Sequence, residues 1–197
     1  MSERIRCIVG LGNPGGRYEL TRHNAGFWLA DHFADELGAQ FSEQRSFFAA
    51  VAKAHVGGAS VYIAKPNTFM NRSGQAVAAL AQFYKIKPAE FLILHDELDL
   101  EPGAVKVKFG GGHAGHNGLR DIQKALGSPG FWRLRLGIGH PRDTGSQQEV
   151  AAYVLSQPRK TEWPALEMAL LRCQKELPAL LAGDMEAVAR ALHGAHK

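Results

Sequence analysis

Imidazole, carboxylate and carboxamide side chains gather in four stretches of this 197-residue chain. Asn13 and His23 lie in "GLGNPGGRYELTRHN", Asn67 and Asn71 in "PNTFMN", His95, Asp96 and Glu97 in "HDELDL", and His116 and Asn117 in "GGGHAGHNG". An imidazole near neutral pH accepts a proton, and a carboxamide donates and accepts hydrogen bonds without carrying charge. Together with a carboxylate they equip a site for acid–base work on a polar group. Other chemistries are poorly served. No G-x-S-x-G elbow presents a serine, and Cys7 and Cys173 fall in segments expected to be core. His113 and His116 stand three apart, but in a glycine loop without a third partner or an H-x-x-x-H helix, so no metal site is expected.

Gly10, Gly12 and Gly15 spell G-x-G-x-x-G directly after the apolar run from Ile5 to Val9, as a dinucleotide fingerprint would. In that fingerprint the last glycine already lies in the helix that holds the pyrophosphate. Here Asn13-Pro14 sits inside the motif, and Gly16 to His23 is polar without a helical stripe. The first clear helix starts near Asn24, with Phe27, Ala30, Ala34 and Leu37 on one face and Gly38 as its stop. Asp31 and Asp35, the candidates for a ribose ligand, fall inside that helix rather than at a strand end. The glycines are therefore expected to turn a loop off the strand and display Asn13, Tyr18 and His23, with no nucleotide cofactor.

These residues need elements to position them. Strand-like runs recur at 4–10, 47–55, 59–65, 91–95, 104–109 and 133–139, with helical stripes between several of them. The alternation predicts a single-domain, three-layer α/β/α sandwich, and the hairpin-like "HVGGAS" makes its sheet mixed, mostly parallel. A helix carrying Ala76, Leu80 and Phe83-Tyr84 ends before Pro88. From about 147 the chain turns helical, at 147–155, 160–177 and 184–193, punctuated by Pro178 and Gly183. In open α/β sheets ligands collect beyond the carboxyl ends of the strands. The loops carrying Asn13 and His23, Asn71, Asp96, and His116 with Asn117 all follow such ends, so they converge on one rim. His32, His193 and His196 lie elsewhere and are expected to be packing or surface residues.

Bulk properties set bounds. A 45% apolar and 21% charged composition is that of a globular domain. The net charge of +4 permits a polyanionic partner without requiring one. Two cysteines without a C-x-x-C pair suit a reducing cytosol, and no run approaches the ~20 apolar residues of a membrane span. A cytoplasmic monomer is expected.

Five ordered blocks resemble the bacterial peptidyl-tRNA hydrolase family: "GLGNPG..Y..TRHN.G" at 10–26, "KP.TFMN.SG" at 65–74, "HDELDL" at 95–100, "GGGH.GHNGL" at 110–119 and "RLRLGIGHP" at 133–141. They cover nearly the first three quarters of the chain, and the C-terminal helices carry little signature. The resemblance implies hydrolysis of the ester joining a peptide to the terminal ribose of tRNA, without metal or cofactor. With no nucleophilic side chain in view, attack by water is the simpler route. The resemblance assigns the base to His23 and its supporting carboxylate to Asp96; by sequence alone Glu97 and Asp99 compete for that role. It assigns substrate-binding amides to Asn13, Asn71 and Asn117, with Asn13 reading the first peptide amide and Asn117 holding the water or the carbonyl. Tyr18, Phe69, Met70 and His116 join them along the substrate groove.

Two later strands alternate. Val105, Val107 and Phe109 interleave with Lys106 and Lys108, and Leu134, Leu136 and Ile138 with Arg133 and Arg135. Period-two alternation places each cation pair on one face, away from the core. The resemblance singles out Lys108 and Arg135 as a clamp on the tRNA 5′ phosphate. Two rival functions share these features: a non-catalytic RNA-binding protein on the same scaffold, and a hydrolase or phosphorylase of small nucleosides or peptides.

Overall fold

The computed structural model describes residues 3–194. Seven strands form one sheet: β1 (Cys7–Gly10), β2 (Ser42–Gln44), β3 (Ala49–Val56), β4 (Ala59–Pro66), β5 (Phe91–Glu97), β6 (Val105–Phe109) and β7 (Trp132–Gly137). Their order across the sheet is β2-β3-β4-β1-β5-β7-β6. The central pairings β4–β1, β1–β5 and β5–β7 are parallel, while β2–β3, β3–β4 and β7–β6 are antiparallel. β3 and β6 thus oppose the other strands; the sheet is mixed, as the pattern predicts, but among the described residues its parallel and antiparallel pairings are equal in number instead of mostly parallel. Gly57 and Gly58, both with positive φ, make the tight β3–β4 turn expected of "HVGGAS".

Eight helices among the described residues cover the two faces: α1 (Ala25–Glu36), α2 (Gly74–Tyr84), α3 (Asn117–Leu126), α4 (Pro141–Thr144), α5 (Val150–Val154), α6 (Trp163–Lys175), α7 (Leu177–Ala182) and α8 (Met185–Leu192). Strand alternation divides the core. Ile8, Leu92, Leu94, Val107 and Leu134 pack under α1 and the C-terminal helices, while Cys7, Val9, Phe91 and Ile93 pack under α2 and α3. This is the three-layer sandwich.

Several expectations need correction. β2 was not predicted: its Ser-Glu-Gln sequence is wholly exposed, and only pairing with β3 makes it a strand. Pro178 does mark a break, after α6, but it lies in the first turn of an unpredicted helix, α7, where proline's missing N–H costs nothing. Phe109 does not alternate inward but is 49% exposed, lying at the end of the edge strand against Trp132. Arg133 breaks the other alternation: it is 2% exposed, because the glycine loop before α3 folds over it. His32 packs α1 on α6 through Gln174, and His193 accepts the Val107 N–H of the edge strand. His196 lies outside the described residues.

The G-x-G-x-x-G stretch has a packing role. A Cβ built on Gly10 would lie 2.3 Å from the Gly26 carbonyl oxygen, and one on Gly26 would lie 2.3 Å from the Leu94 carbonyl oxygen. Gly12 likewise meets the Phe27 ring. Of the three motif glycines only Gly15 has a positive φ, at 104°. Bare backbone at positions 10 and 26 lets α1 lie directly on β1 and β5. That contact carries the residues just before α1 to the carboxyl end of β5.

Candidate active site

His23 sits in a 3-10 turn, Arg22–Asn24, that leads straight into α1. Its Nδ1 lies 3.0 and 3.1 Å from the two carboxylate oxygens of Asp96, near the end of β5. Asp96 also accepts from His116, whose Nε2 is 2.9 Å from Oδ1. His116 caps α3, taking the Leu119 N–H on Nδ1 at 3.3 Å, so its proton resides on Nε2 and both of its nitrogens are engaged. His23 differs: with Nδ1–H donated to Asp96, its Nε2 keeps a lone pair and makes no hydrogen bond among the described residues. One carboxylate therefore orients two imidazoles, and only one of them is free to take a proton.

Electrostatics sharpens the distinction. Burial opposes a charged His23, but the charge of Asp96 and its hydrogen bond together outweigh that and raise the imidazole above its ordinary value of 6.5. Burial alone would raise Asp96, yet the two imidazoles hold it well below the usual carboxylate range. His95, behind His116 with ring centroids 5.1 Å apart, is pushed down to about 3 by burial and stays neutral. Burial raises both thiols, Cys173 to about 12, and neither offers a thiolate. The ligand atoms of His23, Asp96 and His116 lie within 4.8 Å of one another, but both imidazole N–H groups already point at the carboxylate, which makes this a hydrogen-bonded triad.

The triad opens into a cleft of about 470 Å³ whose near wall includes His23, Asp96, His116 and Asn117 and whose far wall comes from His140, Val150, Ala151 and Val154. A larger groove of about 700 Å³ shares only Leu98 and His140 with it and contains none of the triad. The far wall was not anticipated, since the sequence after 145 has no motif to mark it. It is tied to the His23 turn by the buried Arg22, which donates to Tyr153 O at 3.3 Å, Ser156 Oγ at 2.5 Å and Glu162 Oε1 at 2.9 Å.

Asn13, Tyr18, Phe69, Met70 and Asn71 do not line this cleft and form a second group. Asn13 is buried, and its Oδ1 accepts the Met70 N–H at 2.7 Å, leaving the Nδ2 amide to donate. Asn24, unanticipated although adjacent to His23, grips the Asn13 backbone from both sides, with 2.9 Å bonds to its N–H and its carbonyl. Tyr18 meets Phe69 edge-on at 6.3 Å, and Phe69 is 59% exposed. Asn71 is exposed on the Met70–Arg72 turn. The Met70 side chain is buried against Gly118 at the start of α3, so it joins the two groups by packing instead of forming an open wall. Asn117 is exposed at the cleft.

Lys108 and Arg135 meet in a smaller pocket of about 120 Å³, with Arg133 beside them and Glu97 between this pocket and the cleft. They lie on adjacent strands, Lys108 opposite Arg133 and Lys106 opposite Arg135. Arg135 also faces Glu97 at 3.6 Å, so part of its charge is already met.

Fold and site define a class: single-domain α/β enzymes whose cleft presents an imidazole oriented by a buried carboxylate, with no activated thiol or serine elbow. Residues 7–197 match the family described as peptidyl-tRNA hydrolase. A Bordetella parapertussis peptidyl-tRNA hydrolase is 60% identical over 196 residues, spanning 100% of this chain and 91% of its own. One from Neisseria meningitidis serogroup A is 52% identical over 98% of this chain and 99% of its own. The crystal structure of peptidyl-tRNA hydrolase from Acinetobacter baumannii superposes with a TM-score of 0.91 at 40% identity, covering 98% of this chain and 97% of that one. The chain belongs to the peptidyl-tRNA hydrolase family, and it is a hydrolase.

Proposed function

We propose that this enzyme cleaves the ester between peptide and tRNA by direct attack of a water that His23 deprotonates. The observation that carries this reading is the unequal use of the two imidazoles on Asp96: His116 is fully engaged, whereas His23 keeps Nε2 open to the cleft. His23 Nε2 takes a proton from water as the hydroxide oxygen bonds to the ester carbonyl carbon. The resulting oxyanion needs a donor, and Asn117 is the amide that lines the cleft. Collapse breaks the bond to the ribose oxygen, which leaves with the proton held on His23. Asp96 keeps the imidazole in its productive tautomer and stabilises the imidazolium between the two transfers.

Asn13, with Asn24 fixing its backbone, reads the first peptide amide through Nδ2. Tyr18, Phe69 and Asn71 extend the groove, and Lys108 and Arg135 hold the 5′ phosphate. All of these parts come from one chain, which supports a monomer, and two free buried thiols fit the reducing cytosol where translation runs. No described helix is long and apolar enough to cross a membrane.

The test uses N-acetylated aminoacyl-tRNA, with the unblocked ester as control. Wild type turns over the blocked ester and spares the free one. His23→Ala lowers turnover by about 10² to 10⁴, the range for general acid–base help, while tRNA binding persists. Binding without turnover in wild type would make this an RNA-binding protein, and turnover of small nucleosides in place of tRNA esters would favour the third reading.

A further inference from the structure

The buried Arg133 has no part in the reaction as described. Its Nη1–H donates to the Gly112 carbonyl at 2.6 Å, and its Nη2–H donates to the carbonyls of Gly111 at 2.8 Å and Pro129 at 3.3 Å, with the guanidinium 4.5 Å over the Phe131 ring. Burying a guanidinium is costly unless its donors are met. The Gly111 and Gly112 carbonyls meet donors on both Nη atoms, while the buried Nε–H has no partner among the described residues, and those two carbonyls are thereby held to the rigid strand β7. The loop itself has little stiffness: Gly110, Gly111 and Gly115 all take positive φ, and glycine visits many other conformations as readily. Its position must be imposed from outside.

The Gly110 N–H holds the start of the loop to the Phe131 carbonyl at 2.9 Å; beyond it Arg133 ties the carbonyls of Gly111 and Gly112, with Gln123 of α3 adding one donor to the Gly111 carbonyl at 3.2 Å. Immediately after the gripped carbonyls, His113 accepts the Gly115 N–H at 3.1 Å, and its own carbonyl takes the His116 N–H at 2.9 Å. The segment thus passes its position on to His116, which donates to Asp96. We propose that Arg133 is a positioning residue of the active site: by holding the carbonyls of Gly111 and Gly112 it places His116 against Asp96, and so sets how strongly Asp96 draws a proton onto His23. The consequence for the rate rests on the reading of His23 as the base; the effect on His23 itself does not.

The sign follows from the geometry. His116 and His23 share Asp96 Oδ1, and a donor on that oxygen spreads the carboxylate charge away from His23. Groups facing His23 are Asp96 from β5 and the His116 ring, with ring centroids 5.0 Å apart. His95 backs His116, and Glu97, His113 and His140 line the same cleft. Freeing the loop withdraws the His116 donor and admits water beside a buried imidazole. Both changes favour protonated His23, so its titration moves to higher pH.

The experiment titrates the His23 Cε1 proton by NMR and records kcat/KM against pH with N-acetylated aminoacyl-tRNA, in the full chain and in Arg133→Met, Arg133→Lys and Gln123→Ala. In Arg133→Met the His23 midpoint rises by about half a pH unit or more, which is about threefold in the neutral fraction below the midpoint. Arg133→Lys, which restores one cation and some donors, returns part of the way, and Gln123→Ala moves less in the same direction. A simple loss of stability would lower the melting temperature without moving this midpoint. An unmoved midpoint in folded Arg133→Met overturns the proposal; should that variant not fold, unmoved midpoints in both Arg133→Lys and Gln123→Ala do so. A midpoint that rises while the acid limb of the rate stays in place upholds the positioning role and overturns His23 as the base.

Discussion

At Asp96 two imidazole N–H groups meet one carboxylate, and the pH dependence expected of the proposed mechanism follows from that sharing. As the proposed base, His23 can act only when neutral. Because the charge and hydrogen bond of Asp96 raise it above 6.5, kcat/KM should fall as pH drops through a midpoint on the alkaline side of that value. Asp96→Asn removes the charge and leaves burial, which acts the other way. The acid limb should therefore move to lower pH while the plateau rate falls by about 10² or more, since the imidazolium loses its stabilising partner. A pH–rate profile on the blocked ester checks both effects. An acid limb unchanged in position would transfer the supporting role to Glu97, the other carboxylate lining the cleft.

At the scale of elements, the pairing of His23 with Asp96 is a matter of how closely a helix approaches a sheet. Gly26 in the first turn of α1 touches the Leu94 carbonyl, two residues before Asp96, and it follows His23 by three. Gly26→Ala would drive a methyl group to 2.3 Å from that oxygen and 2.4 Å from the Leu11 nitrogen, both backbone atoms with little room to yield. Overpacking of this kind costs about 1–3 kcal/mol, and α1 must lift or tilt to relieve it. Urea denaturation should show that loss, and turnover should fall by more than the change in folded fraction explains, because the lift separates His23 from Asp96. Activity lost only in proportion to unfolding would mean that the 3-10 turn places His23 independently of the helix.

For the whole molecule, the net charge of +4 is modest, so the proposed recognition of tRNA rests on a local arrangement of charge. Lys108 and Arg135 lie on neighbouring strands at one edge of the sheet, separated from the triad cleft by Glu97. A charge-assisted contact is worth about 1.5–3 kcal/mol, so Lys108→Ala or Arg135→Ala should lower kcat/KM for full tRNA substrates by about 10- to 150-fold. The Arg135 effect should fall toward the lower figure, since Glu97 already meets part of its charge. The penalty should vanish for tRNA lacking its 5′ phosphate, and the slope of log kcat/KM against log salt should become shallower in each variant. Equal losses with and without the phosphate would reduce the pair to general surface charge.

Much of this was legible in the chain itself. Apolar runs located the six longer strands, because each must bury at least one face, and the strand-end rule carries Asn13, His23 and Asp96 to one rim; it misplaces the glycine loop, because β6 is antiparallel and Phe109 pairs with Trp132 at the amino end of β7, so the chain runs back before His116 and Asn117 reach Asp96. Short-range pattern failed where a distant segment supplies the environment. β2 has no apolar signature because what makes it a strand is backbone pairing with β3. Arg133 reads as an exposed alternate residue, yet a loop 21 and 22 positions earlier in the chain buries it and accepts two of its hydrogen bonds. The choice of Asp96 over Glu97 and Asp99 is of the same kind. Three carboxylates within four residues are equivalent as chemistry, and only the approach of α1 through Gly26, with α3 delivering His116, brings two imidazoles to one of them. Local sequence determined which residues could do the chemistry and on which kind of element they stand. The tertiary structure decided which of them meet, because hydrogen bonds and close packing act over about 3 Å between segments that the chain separates by 20 residues, for His116 and Asp96, or 73, for His23 and Asp96.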